Sequence, residues 1–288
     1  MANSKYAYVR NFELPDPLLP NTFLVFRLDG HSFHRFSDTH NFTKPNDVRA
    51  LQLMDHAARD TMQVHPDIVL GFGESDEYSF LLKKSTTIYN RRQSKILSTL
   101  TSQFTSSYVF HWTTYFPETP LQYPPSFDGR IVLYPTSKEV KDYFAWRQAD
   151  THINNLYNTT FWALVQQGGQ STTEAHATLR GTFSKDKHEI LFSRFNINYN
   201  MLDPRFRKGS VLVREEVDNE EETVGSEEFE RSKLKSDDTI APDSSEEQTK
   251  STKKKSKQNK KRVTRINLLH CDLIKDESWD NRPWLLSD

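Results

Sequence analysis

Asp29 and Asp76 are the residues whose type and position could do chemistry. Asp29 follows the run Phe23-Leu24-Val25-Phe26-Arg27-Leu28, and Asp76 ends the turn Gly73-Glu74-Ser75-Asp76 between two further apolar runs. If these runs are neighbouring strands, two acids distant in sequence meet at one sheet edge. Acidic oxygens shared by two Mg²⁺ ions roughly 3.5–4 Å apart are what metal-assisted phosphoryl transfer requires. Gly30 joins them as a metal-ligand candidate, because without a Cβ its carbonyl can approach a cation closely. The bland reading stands beside this one: Asp29-Gly30 as a plain turn and Asp76 as a solvated loop acid. Alternation along an extended chain turns Glu77 away from Asp76. Glu77 is therefore a third catalytic candidate acting from outside the metal's own ligands, and Glu74 receives no role.

His31-Ser32-Phe33-His34 follows Asp29 directly. Free N–H groups at a strand-to-helix junction, with imidazoles nearby, could hold a triphosphate. The chain has only nine glycines and neither a G-x-x-x-x-G-K-[ST] nor a G-x-G-x-x-G string, so no glycine-rich cradle holds a nucleotide. Farther along, His152, Asn155 and Thr159 form an uncharged polar stripe beside the apolar stripe Ile153, Leu156, Tyr157, Phe161, Leu164. That stripe suits a polar ligand or, equally, an internally satisfied core. Lys44, Arg91, Arg92, Lys95, Lys185, Lys187 and Lys208, with Tyr89, Phe183 and Phe206 as neighbours, allow a nucleic-acid track.

The elements that would position these groups follow from apolar periodicity. Strands are predicted at 23–30, 68–72, 78–82 and 130–134, and helices at 46–64 (capped by Asn46), 91–115 and 138–167. The order β-α-β-β-α-β is the split βαβ, ferredoxin-like pattern, an α+β antiparallel sheet with flanking helices. Residues 1–135 read as the catalytic part and 136–214 as a helical part completing the same body. Residues 215–262, rich in Glu, Ser, Lys and Asp and nearly free of aromatics, read as a disordered charged insertion. A strand at 266–270 then opens a 263–288 tail whose Trp279 and Trp284 should dock back on the body.

Composition narrows the function classes. No run of about 20 apolar residues exists to span a membrane, and Met1-Ala2-Asn3-Ser4-Lys5-Tyr6 lacks a secretory apolar stretch. The single cysteine, Cys271, excludes an internal disulfide framework. A soluble protein of the cytoplasm, with the nucleus as a second location, is expected. The run Lys253-Lys254-Lys255-Ser256-Lys257-Gln258-Asn259-Lys260-Lys261-Arg262 suits nuclear import or added RNA affinity, or is a solvated charge run.

Several strings resemble the tRNA(His) guanylyltransferases: Leu28-Asp29-Gly30-His31-Ser32-Phe33-His34, Ser75-Asp76-Glu77-Tyr78-Ser79-Phe80, and His152-Ile153-Asn154-Asn155-Leu156-Tyr157-Asn158-Thr159. Leu179-Arg180-Gly181-Thr182, Lys187-His188-Glu189-Ile190-Leu191-Phe192 and the ending Cys271-Asp272-Leu273-Ile274-Lys275-Asp276-Glu277 are similar as well, the last to fungal members. The resemblance covers 1–214 and 266–288. It implies a polymerase palm-like domain, a tetramer, and 3′–5′ addition of a guanylate to the 5′ end of tRNA(His) after ATP adenylylates the 5′-monophosphate. By the same resemblance Asp29, the Gly30 carbonyl and Asp76 hold two Mg²⁺ ions. Residues 29–34 with Ser75 and Asp76 match its nucleotide-binding segments, so they are expected to bind ATP and GTP. The polar stripe and the scattered cations, apart from the resemblance, make Lys44, His152, Asn155 and Lys187 candidate contacts for tRNA or nucleotide. Arg180 departs from the pattern, standing where lysine is expected. The competing expectations are a non-catalytic tRNA-binding protein on the same fold, and a templated polymerase or cyclase.

Overall fold

The computed structural model describes residues 4–217 and 263–287, so the acidic and basic runs of the expected insertion lie outside the described residues. Residues up to Arg214 with those from Ile266 onward form one compact unit, and 215–265 a second. No helix of the described residues is long and apolar enough to cross a membrane.

The first four strands are β1 (Phe23–Gly30), β2 (Ile68–Glu74), β3 (Glu77–Leu82) and β4 (Phe127–Tyr134). Between them run α1 (Phe33–Thr39), α2 (Val48–Val64), α3 (Gln93–Phe110) and α4 (Trp112–Tyr115). The sheet order β4-β1-β3-β2-β5-β6 begins with the split βαβ arrangement, and every paired strand of that part is antiparallel. Beyond β4 come α5 (Ser137–Gln166), α6 (Thr172–Leu179), α7 (Ser184–Phe195), α8 (Pro204–Lys208), β5 (Ser210–Val217), β6 (Val263–Leu269) and α9 (Glu277–Asp280).

Period-two patterning divides β1 between two cores. Leu24, Phe26 and Leu28 pack with Leu53, Met62, Leu100 and Phe104 of α2 and α3. Phe23 and Val25 face the other layer, with Val140 and Phe144 of α5 and with Leu273, Trp279 and Leu285 of the tail. Burial on both faces explains why the strands read as continuous apolar runs.

Four local expectations need correction. Asp47, not Asn46, caps α2, accepting from the Arg49 N–H at 3.0 Å. The stretch expected as one helix over 91–115 breaks, because Arg91 and Arg92 precede α3 and His111 interrupts it before α4. Gly73 and Glu74 belong to β2, leaving Ser75-Asp76 as the hairpin turn. Strand β5 interrupts the part read as helical and extends to Val217, past the expected boundary. Its short run Ser210-Val211-Leu212-Val213 pairs with Gly73–Leu70 of β2, a partner distant in sequence.

Candidate active site

Strand β1 carries Asp29 to its last turn of ladder, where it lies directly opposite Glu77 on β3 and Asp128 on β4. Glu77 in turn pairs with Glu74 across the β2–β3 hairpin. Directly opposed residues share a face, so Glu74, Glu77, Asp29 and Asp128 form an acidic row across four strands. The face is that of Val25 and α5, and a row of like charges there requires a cation.

Arg147 supplies one. It stands on the buried side of α5, with Nε donating to Glu77 Oε1 at 2.7 Å and Nη2 to Glu74 Oε1 at 2.8 Å. Its Nη1 donates to Asp150 Oδ2 at 2.8 Å, and Arg27 Nε lies 3.8 Å from Glu77. Burial, with the neighbouring Glu77 charge, pushes Glu74 up to about 7 against the Thr151 hydroxyl and the guanidinium. Burial raises Glu77 as well, while Arg147 and Arg27 pull it down. The sequence reading missed Arg147. The available signal was a guanidinium in line with Val140, Tyr143, Phe144, Gln148 and Thr151, all buried on one helix face.

Asp76 occupies the two-residue turn, and its carbonyl accepts from the Gly30 N–H at 3.1 Å. The main chains bearing the two candidate acids are thus bonded to each other. Burial raises the Asp76 pKa and the Asp29 charge adds to it, whereas the Ser75 hydroxyl and His34 oppose the rise. Asp29, Asp76 and His34 therefore sit within electrostatic reach of one another. The buried Tyr108 hydroxyl, which feels the Asp76 charge, has no hydrogen-bond partner among the described residues. Two carboxylates and a glycine carbonyl are hard oxygen donors, which fit Mg²⁺.

Both turns at this edge hold a serine in left-handed backbone: Ser32 at φ 55° and Ser75 at φ 48°. Non-glycine residues there are strained, and such strain concentrates at functional sites. Gly30 is required sterically, since a Cβ would come within 2.3 Å of the Phe33 ring. That ring is buried, whereas His31, Ser32 and His34 are exposed. The His31 N–H is already spent on the Ser126 carbonyl (2.9 Å), so it is not one of the free donors expected at this junction.

The remaining candidates gather along the second half of α5. Lys44 Nζ pairs with Asp38 at 2.9 Å and lies 5.9 Å over the Trp162 ring. Lys187 Nζ donates to the Thr182 carbonyl at 2.9 Å and lies 5.8 Å from the Tyr157 ring centre. His152 stands near Tyr199 and His188, with ring centres 5.4 and 6.4 Å away. Asn155 is committed internally: its Nδ2 donates to Asn46 Oδ1 (2.9 Å), and its Oδ1 accepts from Tyr199 (3.1 Å). Of the scattered cations, Arg91 leaves the surface, since it is buried and donates to the Thr86, Leu19 and Thr22 carbonyls.

Comparison with known proteins agrees with this geometry. A family model described as tRNAHis guanylyltransferase matches residues 6–135, and one described as the Thg1 C terminal domain matches 138–275. The tRNA(His) guanylyltransferase of Neurospora crassa is 50% identical over 291 residues, spanning 100% of this chain and 97% of its own. The chain belongs to the tRNA(His) guanylyltransferase family. Its Schizosaccharomyces pombe relative is 46% identical, over 99% of this chain and 98% of that one. The Saccharomyces cerevisiae tRNA(His) guanylyltransferase crystal structure is 50% identical with a TM-score of 0.70, covering 73% of this chain and 93% of that one. A bacterial Thg1-like protein in complex with ATP is 25% identical with a TM-score of 0.60, covering 72% and 85%. This guanylyltransferase-family chain is accordingly a nucleotidyltransferase, and its antiparallel sheet with flanking helices is the palm-like α+β fold expected from its sequence.

Proposed function

We propose that the chain adds a guanylate to the 5′ end of tRNA(His) in two displacements at phosphorus, both at the Asp29–Asp76 edge. In the first, an oxygen of the tRNA 5′-monophosphate attacks the α-phosphorus of ATP and pyrophosphate leaves. In the second, the 3′-hydroxyl of GTP attacks the tRNA 5′-phosphorus, and the bond to AMP breaks. The extra pyrophosphate of the added nucleotide is removed afterwards.

The observation that carries this reading is the Gly30 N–H to Asp76 carbonyl bond of 3.1 Å, which fixes two acid-bearing main chains side by side. Asp29, the Gly30 carbonyl and Asp76 would hold two Mg²⁺ ions, which when bound neutralise charge developing at phosphorus. His31, Ser32, His34 and Ser75 bind phosphate oxygens, and the buried Phe33 ring fixes the turn that presents them. Glu77, held by Arg147, keeps Asp29 in place by ordering the acidic row. His152 on α5, with Lys44 and Lys187 packed beside that helix at Trp162 and Tyr157, forms a route for the tRNA or a nucleotide, and Asn155 positions α5 against Asn46.

A homotetramer accompanies this reading, and the exposed Phe12 and Leu14, at 78% and 87%, are apolar surface open to a subunit contact. Location in the cytoplasm with nuclear access belongs to it as well. Incubating the protein with 5′-monophosphorylated tRNA(His), ATP and labelled GTP tests the proposal. The expected product is one nucleotide longer, with AMP released. RNA that stays unextended under ATP and Mg²⁺ would refute it.

A further inference from the structure

We propose that His56, Asp60 and His111 form a second metal site, for a zinc-type divalent cation and distinct from the Mg²⁺ site at Asp29 and Asp76. His56 and Asp60 are four residues apart on α2 and therefore share a helix face. His111 follows the last turn of α3, the helix packed beside α2. His111 Nε2 lies 2.9 Å from Asp60 Oδ2, and His56 Nε2 lies 3.7 Å from Asp60 Oδ1. The three candidate donor atoms all lie within 4.8 Å of one another. A tetrahedral zinc ion bound at about 2.0–2.1 Å sets its ligand atoms roughly 3.4 Å apart, so small side-chain rotations close the site.

The surroundings already orient the ligands. Tyr115 Oη meets His56 Nδ1 at 3.0 Å, which leaves Nε2 as the nitrogen directed at Asp60. Ser107 donates to Asp60 Oδ2 at 2.5 Å, holding that carboxylate. Metal sites use such outer partners to fix ring and carboxylate orientation. The two imidazoles are stacked, with ring centres 3.7 Å apart and planes at 17°. The side chains of His56, Asp60 and His111 are 30%, 25% and 20% exposed, so an ion can enter without the site being fully solvated. Arg59, whose positive charge acts on His56, is turned to the Ile266 carbonyl, to which its Nη1 donates at 2.6 Å.

Donor chemistry sets the ion. Two imidazole nitrogens and one carboxylate suit Zn²⁺ or Co²⁺, whereas Mg²⁺ prefers oxygen alone. Three protein ligands leave a fourth position for water. Bound metal would staple α2 to the α3–α4 corner.

The test is titration of the tag-free full chain with Co²⁺ alone, followed by visible absorption. One equivalent should give intense ligand-field bands that Zn²⁺ abolishes and excess Mg²⁺ does not. The bands should persist in Asp29→Asn/Asp76→Asn protein, and Zn²⁺ should raise the Tm of both forms. Ser107→Ala and Tyr115→Phe should weaken binding at least tenfold, and His56→Gln and His111→Gln should remove the bands. Absence of stoichiometric bands in the unaltered chain would overturn the proposal, whatever the variants do. So would bands that survive in both His→Gln variants or vanish in Asp29→Asn/Asp76→Asn.

Discussion

Arg147 on α5 donates to Glu77 on β3 at 2.7 Å, and Glu77 is the residue that faces Asp29 across the ladder. A guanidinium from outside the sheet is thereby the counter-charge of the acidic row that contains the candidate catalytic acid. Its Nη2 reaches Glu74, so one side chain satisfies two buried carboxylates.

Arg147→Met should therefore destabilise the protein by about 3–5 kcal/mol, because it leaves buried charge without a partner. Adding Glu74→Gln and Glu77→Gln should recover much of that loss, since the penalty lies in the unpaired carboxylates. Urea unfolding of the single and triple variants measures both. Arg147→Lys should not substitute, because an ammonium lacks the planar fork that serves three carboxylates at once.

Trp279 is the largest side chain that the tail buries in the core with Leu273 and Leu285. Trp279 is 3% exposed, lies 5.9 Å from Phe144 between ring centres, and donates through Nε1 to the Leu273 carbonyl at 3.0 Å. Trp279→Ala should cost about 3–5 kcal/mol by cavity formation. Trp284→Ala should cost less, because Trp284 is 43% exposed. Thermal unfolding of the two variants in parallel gives the comparison.

His65 offers a pH test. It is 5% exposed, and its Nε2 has no partner among the described residues. Burial holds its pKa below the usual imidazole value, against a weaker opposing pull from Asp67. A depressed folded pKa means that below about pH 6.5 the unfolded chain takes up a proton the folded one resists. The stability this imidazole permits is complete above that pH and is lost as pH falls through the folded pKa. His65→Leu should therefore gain Tm relative to the parent as pH drops from 7 to 5. A difference independent of pH would contradict the assignment.

Sequence periodicity revealed the strands bearing Asp29 and the Ser75-Asp76 turn, because both lie at the ends of apolar runs whose pattern is local. Long-range facts were not legible. Arg147 looks like any helical arginine until the fold brings Glu74 and Glu77 under it. Strand β5 owes its existence to pairing with β2, and four apolar or small residues carry too short a pattern to announce it. Asp47 displaced Asn46 as the helix cap because Asn46 is bonded instead to Asn155, a residue on another helix. The polar stripe at His152 and Asn155 is legible in the sequence, yet only the fold shows Asn155 spending its amide on Asn46 and Tyr199.

The central claim is that Asp29 and Asp76 together serve both displacements at phosphorus. Single-turnover guanylate addition by Asp29→Asn and Asp76→Asn tests it directly, on tRNA(His) bearing either a 5′-monophosphate with ATP or a 5′-triphosphate that needs no adenylylation. With the native circular dichroism preserved, the account predicts that each variant loses at least about a thousandfold in rate on both substrates, as expected when charge at phosphorus goes unstabilised. Near-parental rates on the triphosphorylated tRNA by either variant would contradict it.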